Sequence, residues 1–200
     1  MNPVRKATVL ISGTGSNLQA LIDAVASGRL DLDIVHVISN VANAPGLQRA
    51  ERAGIRSSIL EHGRFADRAD FDAALALLMA ADEPDLVILA GFMRIIGDAV
   101  LEPFAGRMIN LHPALLPKFG GEGMYGKRVH EAVLAAAEQE SGASIHLVDE
   151  IYDHGPVLAQ RKVPVLPGDD VHSLADRVFA AECELYPQVV AELARGITKT

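Results

Sequence analysis

The run Thr8-Val9-Leu10-Ile11, the stretch 34–39, the run Leu86-Val87-Ile88-Leu89 and the stretch 108–111 constrain this chain more than any other feature. Each is too short and too apolar to be anything but an interior strand. Between them the apolar spacing changes to the helical period. One helix reads over 18–27 and ends at Gly28, and a short one opens at Asn43-Ala44-Pro45-Gly46 and closes at Gly54. A third strand reads over 55–60, and another helix over 69–81 has Phe71, Leu75 and Leu78 on one face. Strand and helix alternate about every 25 to 30 residues, which predicts an α/β chain with a doubly wound, mostly parallel Rossmann-like sheet and helices on both faces. In such sheets ligands sit beyond the carboxyl ends of the strands.

Three features fall at that edge. Ser12-Gly13-Thr14-Gly15-Ser16-Asn17 links the first strand to a helix, so its backbone N–H groups and the helix dipole offer a place for a phosphate. It is neither of two familiar nucleotide loops. Leu18 stands where the dinucleotide fingerprint has its third glycine, no lysine follows in the P-loop position, and the second strand ends in Ser39-Asn40 without an acid for an adenosine ribose. The fourth strand breaks at Gly91-Phe92-Met93-Arg94. The fifth ends in Ile109-Asn110-Leu111-His112-Pro113, where strand alternation puts Asn110 and His112 on one face. An amide can donate to a developing oxyanion and an imidazole can carry protons near neutral pH. Alone, the pair is explained equally well as a strand ending in an ordinary turn. Beside the other two features it becomes a candidate active site.

The rest of the chain is less regular. Residues 119–126 contain four glycines and predict a mobile or tightly turned loop. A helix over 128–138 and a strand over 144–148 follow, then the acidic loop Asp149-Glu150-Ile151-Tyr152-Asp153-His154-Gly155-Pro156 and a final strand over 157–161. His146 and His154 read as structural histidines. His112, His146, Asp153 and His154 could be imagined around a metal, but no pair has the helical spacing of a dedicated site, so none is expected. The last helix spans 171–195, kinked at Pro187, with a stripe of Val171, Leu174, Val178, Leu185, Val189 and Leu193. Glu182 falls within that stripe, where a carboxylate needs a partner. An arginine, a backbone N–H, or a hydroxyl or amine of a ligand all satisfy the periodicity.

Composition sets the outer limits. The length of 200 residues suits a single domain with a sizeable core, expected over 1–200. No apolar run approaches the roughly 20 residues of a membrane span, and the apolar stretch after Lys6 is too short for a signal peptide. The net charge of −8 argues against a broad nucleic-acid surface and leaves room for a local anion pocket. The lone Cys183 excludes an internal disulfide. A cytoplasmic chain with small-molecule partners is expected, without nucleic acid or membrane, as monomer or homodimer.

With these pieces placed, the chain resembles the folate-dependent formyltransferases, nearly from end to end. Four stretches carry the likeness: Val9 to Leu21 around the glycine loop, Leu89-Ala90-Gly91-Phe92-Met93-Arg94-Ile95-Ile96, Ile109-Asn110-Leu111-His112-Pro113-Ala114-Leu115-Leu116-Pro117-Lys118, and Asp153-x-Gly155-Pro156. The glycine loop points to a ribonucleotide substrate. The resemblance implies antiparallel C-terminal strands and transfer of a formyl group from 10-formyltetrahydrofolate, as co-substrate and without a metal, to the amine of 5'-phosphoribosylglycinamide in purine synthesis. It implies Asn110, His112 and Asp153 as the catalytic trio, and Gly15, Ser16, Asn17 and Glu182 as ribonucleotide contacts. Arg68, Met93, Arg94, Ile95, Ile96 and Asn110, with the segment Asp149, Glu150, Ile151, Tyr152 and Asp153, would hold the folate.

The 118–130 stretch is longer and richer in glycine than in the relatives compared, which leaves loop closure open. Formyl transfer to another amine such as that of a sugar nucleotide, hydrolysis of the formylfolate, and a non-catalytic nucleotide-binding module are the alternatives. Formylation of a transfer RNA and the hydrolase are disfavoured because no extra C-terminal or N-terminal domain is expected.

Overall fold

The computed structural model describes residues 4–196, so the outermost residues of the expected 1–200 unit lie outside it. A seven-stranded sheet runs in the order β3-β2-β1-β4-β5-β6-β7. Its strands are β1 (Arg5–Ile11), β2 (Leu32–Ser39), β3 (Ser57–Ile59), β4 (Leu86–Leu89), β5 (Met108–His112), β6 (Glu140–Leu147) and β7 (Val157–Pro164). The helices are α1 (Ser16–Ala26), α2 (Gly46–Arg52), α3 (Arg68–Ala80), α4 (Asp98–Leu101), α5 (Lys127–Ala135) and α6 (Val171–Ala194). The first five strands pair in parallel, and β5–β6 and β6–β7 in antiparallel. The expected α/β sheet with antiparallel C-terminal strands is what forms.

The core strands β1, β4 and β5 are apolar because helices cover both of their faces. Val9, Ile11, Ile88 and Ile109 pack with α1 and α6 on one side. Leu10, Val87, Leu89 and Met108 pack with Phe71, Leu75 and Met79 of α3 on the other. Each such side chain contributes about 1.5–3 kcal/mol on full burial. Tyr186 is completely buried, and its hydroxyl donates to the Leu89 carbonyl at 2.9 Å. This ties α6 to the end of β4, beside the strand that carries Asn110 and His112.

Several local expectations are corrected. Helix α5 ends at Ala135, three residues short of 138, and β6 begins at Glu140 where a loop was expected. Ala137 turns the chain with a left-handed φ of 51°, and antiparallel pairing of Glu140 with Pro164 draws both strands out to full length. β3 is only three residues long because it is an edge strand paired with β2 alone. The single last helix expected through Pro187 does form, as α6, with Tyr186, Val189 and Val190 buried around that proline.

Candidate active site

Strand β5 delivers Asn110 and His112 to the carboxyl edge of the sheet, and both meet Asp153. The His112 Nδ1 is 3.3 Å from Asp153 Oδ2, and the Asn110 amide Nδ2 donates to Asp153 Oδ1 at 3.4 Å. The shared face expected from strand alternation is therefore real. Asp153 comes from the loop between β6 and β7 and holds a left-handed φ of 54°, a conformation aspartate tolerates better than most residues. The nearby Gly155 is required by crowding, since a Cβ there would lie 1.9 Å from the Leu147 carbonyl oxygen. Close approach of this loop to the end of β6 is what aims Asp153 at β5.

The electrostatics of the cluster follow from its contacts. Asp153 is buried, which opposes ionisation. The bonds from His112 and His146, the positive charge of His112 and the Gly121 N–H outweigh that and hold its carboxyl well below the usual range. Each ring nitrogen of His112 faces an oxygen: Asp153 at Nδ1 and the Phe119 carbonyl, 2.7 Å away, at Nε2. Only the doubly protonated ring donates to both. The Gly121 N–H donates to Asp153 Oδ2 at 3.0 Å, so the glycine-rich loop is tied to the cluster from its first residues.

Sequence reasoning missed two histidines. His146 on β6 lies opposite Asn110, with its Nε2 3.1 Å from the Asn110 Nδ2 and 3.5 Å from Asp153 Oδ1. Its Nδ1 donates to the Leu147 carbonyl at 2.8 Å, and its Nε2 lies between the Asn110 amide and Asp153: without a proton it accepts from Asn110, and with one it donates to Asp153. The signal was present in the alternation of β6, which puts His146 on the sheet face that Asn110 uses only once the pairing register is known. His130 on α5 also reaches the site. His154 does not: it pairs with Asp149 at 2.9 Å on the outside. Among the described residues no group of three or more His, Cys, Asp and Glu has the placement to hold a metal ion.

These groups line a cavity of about 820 Å³. Its lining includes Asn17 of α1, Ala175, Phe179 and Glu182 of α6, the stretch Phe92, Met93, Arg94, Ile95 and Ile96 after β4, and Asp149, Ile151 and Tyr152 before β7. Glu182 is 6% exposed and accepts a hydrogen bond from Asn17 Nδ2 at 3.0 Å. Burial pushes its carboxyl up, opposed by that bond and by the charge of His112. Its partner within the protein is thus an amide from α1, an option the helix period alone did not single out.

Not every expected residue reaches the cavity wall. Gly15 and Ser16 lie beyond its lining, at the N-terminus of α1. Gly15 has a φ of 68°, and a Cβ there would stand 2.6 Å from the Gly46 Cα, so two loops touch backbone to backbone. Glu150 is outside the lining. Arg68 is also outside and is engaged by Asp72 at 3.2 Å.

Fold, cluster and cavity together define an α/β protein with a ligand site at the carboxyl edge of its sheet, and the chain belongs to the formyl transferase family, whose model it matches over residues 5–190. Among similar proteins, the phosphoribosylglycinamide formyltransferase of Escherichia coli (strain K12) is 42% identical over 191 residues, covering 96% of this chain and 88% of that one. The trifunctional purine biosynthetic protein adenosine-3 of Drosophila melanogaster is 44% identical over 194 residues, but the chain spans 14% of its length. In structure, glycinamide ribonucleotide transformylase 1 from Symbiobacterium toebii matches with a TM-score of 0.92 at 38% identity, over 98% of this chain and 90% of that one.

Proposed function

We propose that this chain transfers the formyl group of 10-formyltetrahydrofolate to the amine of 5'-phosphoribosylglycinamide, giving 5'-phosphoribosyl-N-formylglycinamide and tetrahydrofolate in purine synthesis. The observation that carries this reading is the meeting of Asn110, His112 and Asp153 in the wall of one cavity whose lining has both apolar and polar stretches. A cavity of about 820 Å³ suits ligands of this size. The mainly apolar walls at Phe92–Ile96, with Tyr152 and Arg94, fit a flat heterocycle with an acidic tail; Asn17 and Glu182 fit a polar ribonucleotide.

The amine lone pair attacks the formyl carbon, and the carbonyl oxygen takes up negative charge. Asp153 keeps its proton off and sets its negative charge 3.3 Å from His112 Nδ1, which orients the ring and stabilises positive charge that it takes up. With Nδ1 committed to Asp153, His112 meets the oxyanion through Nε2–H, the formyl oxygen taking the place of the Phe119 carbonyl. Asn110 stands beside it and becomes a second donor when one of its two amide N–H groups turns from His146 or Asp153 to the oxyanion. Collapse of the tetrahedral adduct breaks the bond to the folate nitrogen. The proton lost by the amine ends on that nitrogen, with His112 as its carrier. The positive end of α1, at Gly15 and Ser16, receives the phosphate. Arg68, outside the cavity wall, and Arg94, in it, offer charge to the glutamate tail.

The test is a spectrophotometric assay of purified protein with 10-formyltetrahydrofolate, with and without the ribonucleotide. Deformylation that requires the ribonucleotide is expected, and His112→Ala should abolish it. Deformylation without any amine would instead define a hydrolase.

A further inference from the structure

His130 is 6% exposed, lies in the first turns of α5 and lines the cavity, yet none of the catalytic steps above uses it. Its Nδ1 is shielded from solvent and has no hydrogen-bond partner among the described residues. A buried polar atom left unpaired costs about 1–3 kcal/mol, so an unpaired one on a side chain that lines a cavity points to a ligand atom. Asn17 also lines the cavity, and its Oδ1 is likewise buried and unpaired, while the Nδ2 of that amide is committed to Glu182. Burial, and after it the charge of His112, lower the pKa of His130, so its ring is neutral and has an acceptor nitrogen.

The cavity lining therefore carries three acceptors: the Glu182 carboxyl, Asn17 Oδ1 and a nitrogen of His130. That pattern matches a need of the reaction. An amine attacking through its lone pair must aim that lone pair at the formyl carbon, so its N–H bonds point the other way and need acceptors. Both His112 nitrogens face protein oxygens and the Asp153 oxygens are already engaged, so neither serves. We propose that His130 is a substrate-contacting residue that accepts a hydrogen bond from the nitrogen-bearing end of the ribonucleotide and so orients the nucleophile. This rests on the function proposed above.

The test compares wild type with His130→Phe, which keeps the ring shape and removes the acceptor, and His130→Asn, whose Oδ1 stands near the place of Nδ1. Calorimetric binding of 5'-phosphoribosylglycinamide should weaken about ten- to a hundredfold in His130→Phe, the cost of one lost buried hydrogen bond. The affinity for 10-formyltetrahydrofolate should stay within about twofold, and His130→Asn should recover most of the loss. In wild type, the imidazole 15N resonances of His130 should move when the ribonucleotide is added. Should His130→Phe not fold, His130→Asn and those resonances decide. Unchanged ribonucleotide affinity in a folded His130→Phe overturns the assignment, as does a parallel loss for both substrates in both variants. Wild-type protein that binds no ribonucleotide overturns the functional reading as well.

Discussion

Two buried histidine–aspartate clusters sit in this sheet, and only one is a site. At the β2–β3 edge, the completely buried His36 has its Nδ1 2.7 Å from Asp82 Oδ2 and its Nε2 2.8 Å from Ser58 Oγ. That serine–histidine–aspartate string has the atoms of a hydrolytic triad. Arg56, however, pairs with the same aspartate and approaches the same ring nitrogen at 2.9 Å, and none of the four residues lines a described cavity. Every ring nitrogen is engaged inside the protein. Beside β5 and β6, by contrast, the ion-pair partners of Asp153 among the described residues are histidines, and its cluster opens on the large cavity. Chemistry needs spare hydrogen-bonding capacity aimed at a space, and a list of residue types does not supply that.

This contrast can be broken in four ways. Asp153→Asn should cut turnover by about three to four orders of magnitude while leaving substrate affinity nearly intact. Steady-state kinetics with direct binding checks this, and unchanged turnover would remove Asp153 from the chemistry. Gly155→Ala should follow, because the added Cβ collides with the Leu147 carbonyl and displaces the loop that aims Asp153. A loss of about a hundredfold in turnover is expected from a misplacement near 1 Å, with far-ultraviolet circular dichroism unchanged.

Glu182→Ala should weaken ribonucleotide binding by about ten- to a hundredfold and spare folate binding. A drop in Tm without that selectivity would make Glu182 a structural residue. The smallest effect belongs to the closed cluster. His36→Gln should keep activity and lower Tm by a few degrees, about 2–4 °C for each kcal/mol lost.

The pH dependence of stability separates the clusters further. Burial, the largest influence on His36, depresses its pKa below the ordinary 6.5. As pH falls through about 6.5 the unfolded chain therefore takes up a proton before the folded chain does, and stability declines. Its slope is at most about 1.4 kcal/mol per pH unit for one group. Thermal melts between pH 7 and 5 should show a shallower decline in His36→Gln, and equal slopes would remove His36 as a source. Asp153, held low, has its linked stability fully present above the ordinary carboxylate range. It loses that contribution only as pH falls through its depressed value, well below this window.

Much was legible in the linear chain. The apolar strands at 8–11, 34–39, 86–89 and 108–111 declared the parallel sheet, because burial on both faces leaves no room for polar alternation. Asn110 and His112 were readable as one face because their spacing of two matches the strand period. Glu182 stood out as a carboxylate on an apolar stripe. What pattern alone could not supply is anything joined across long sequence separations. The contact of Asp153 with β5 depends on a left-handed turn and a glycine pressed against Leu147. His146 joins Asn110 only through the antiparallel register of β5 and β6, and a one-residue slip would send it to the other face. His130 enters through the docking of α5, and Arg68 is engaged by Asp72 outside the cavity wall. Local periodicity determined which elements exist and which side chains share a face. Tertiary packing decided which faces meet, and therefore which polar groups are saturated and which are left to bind.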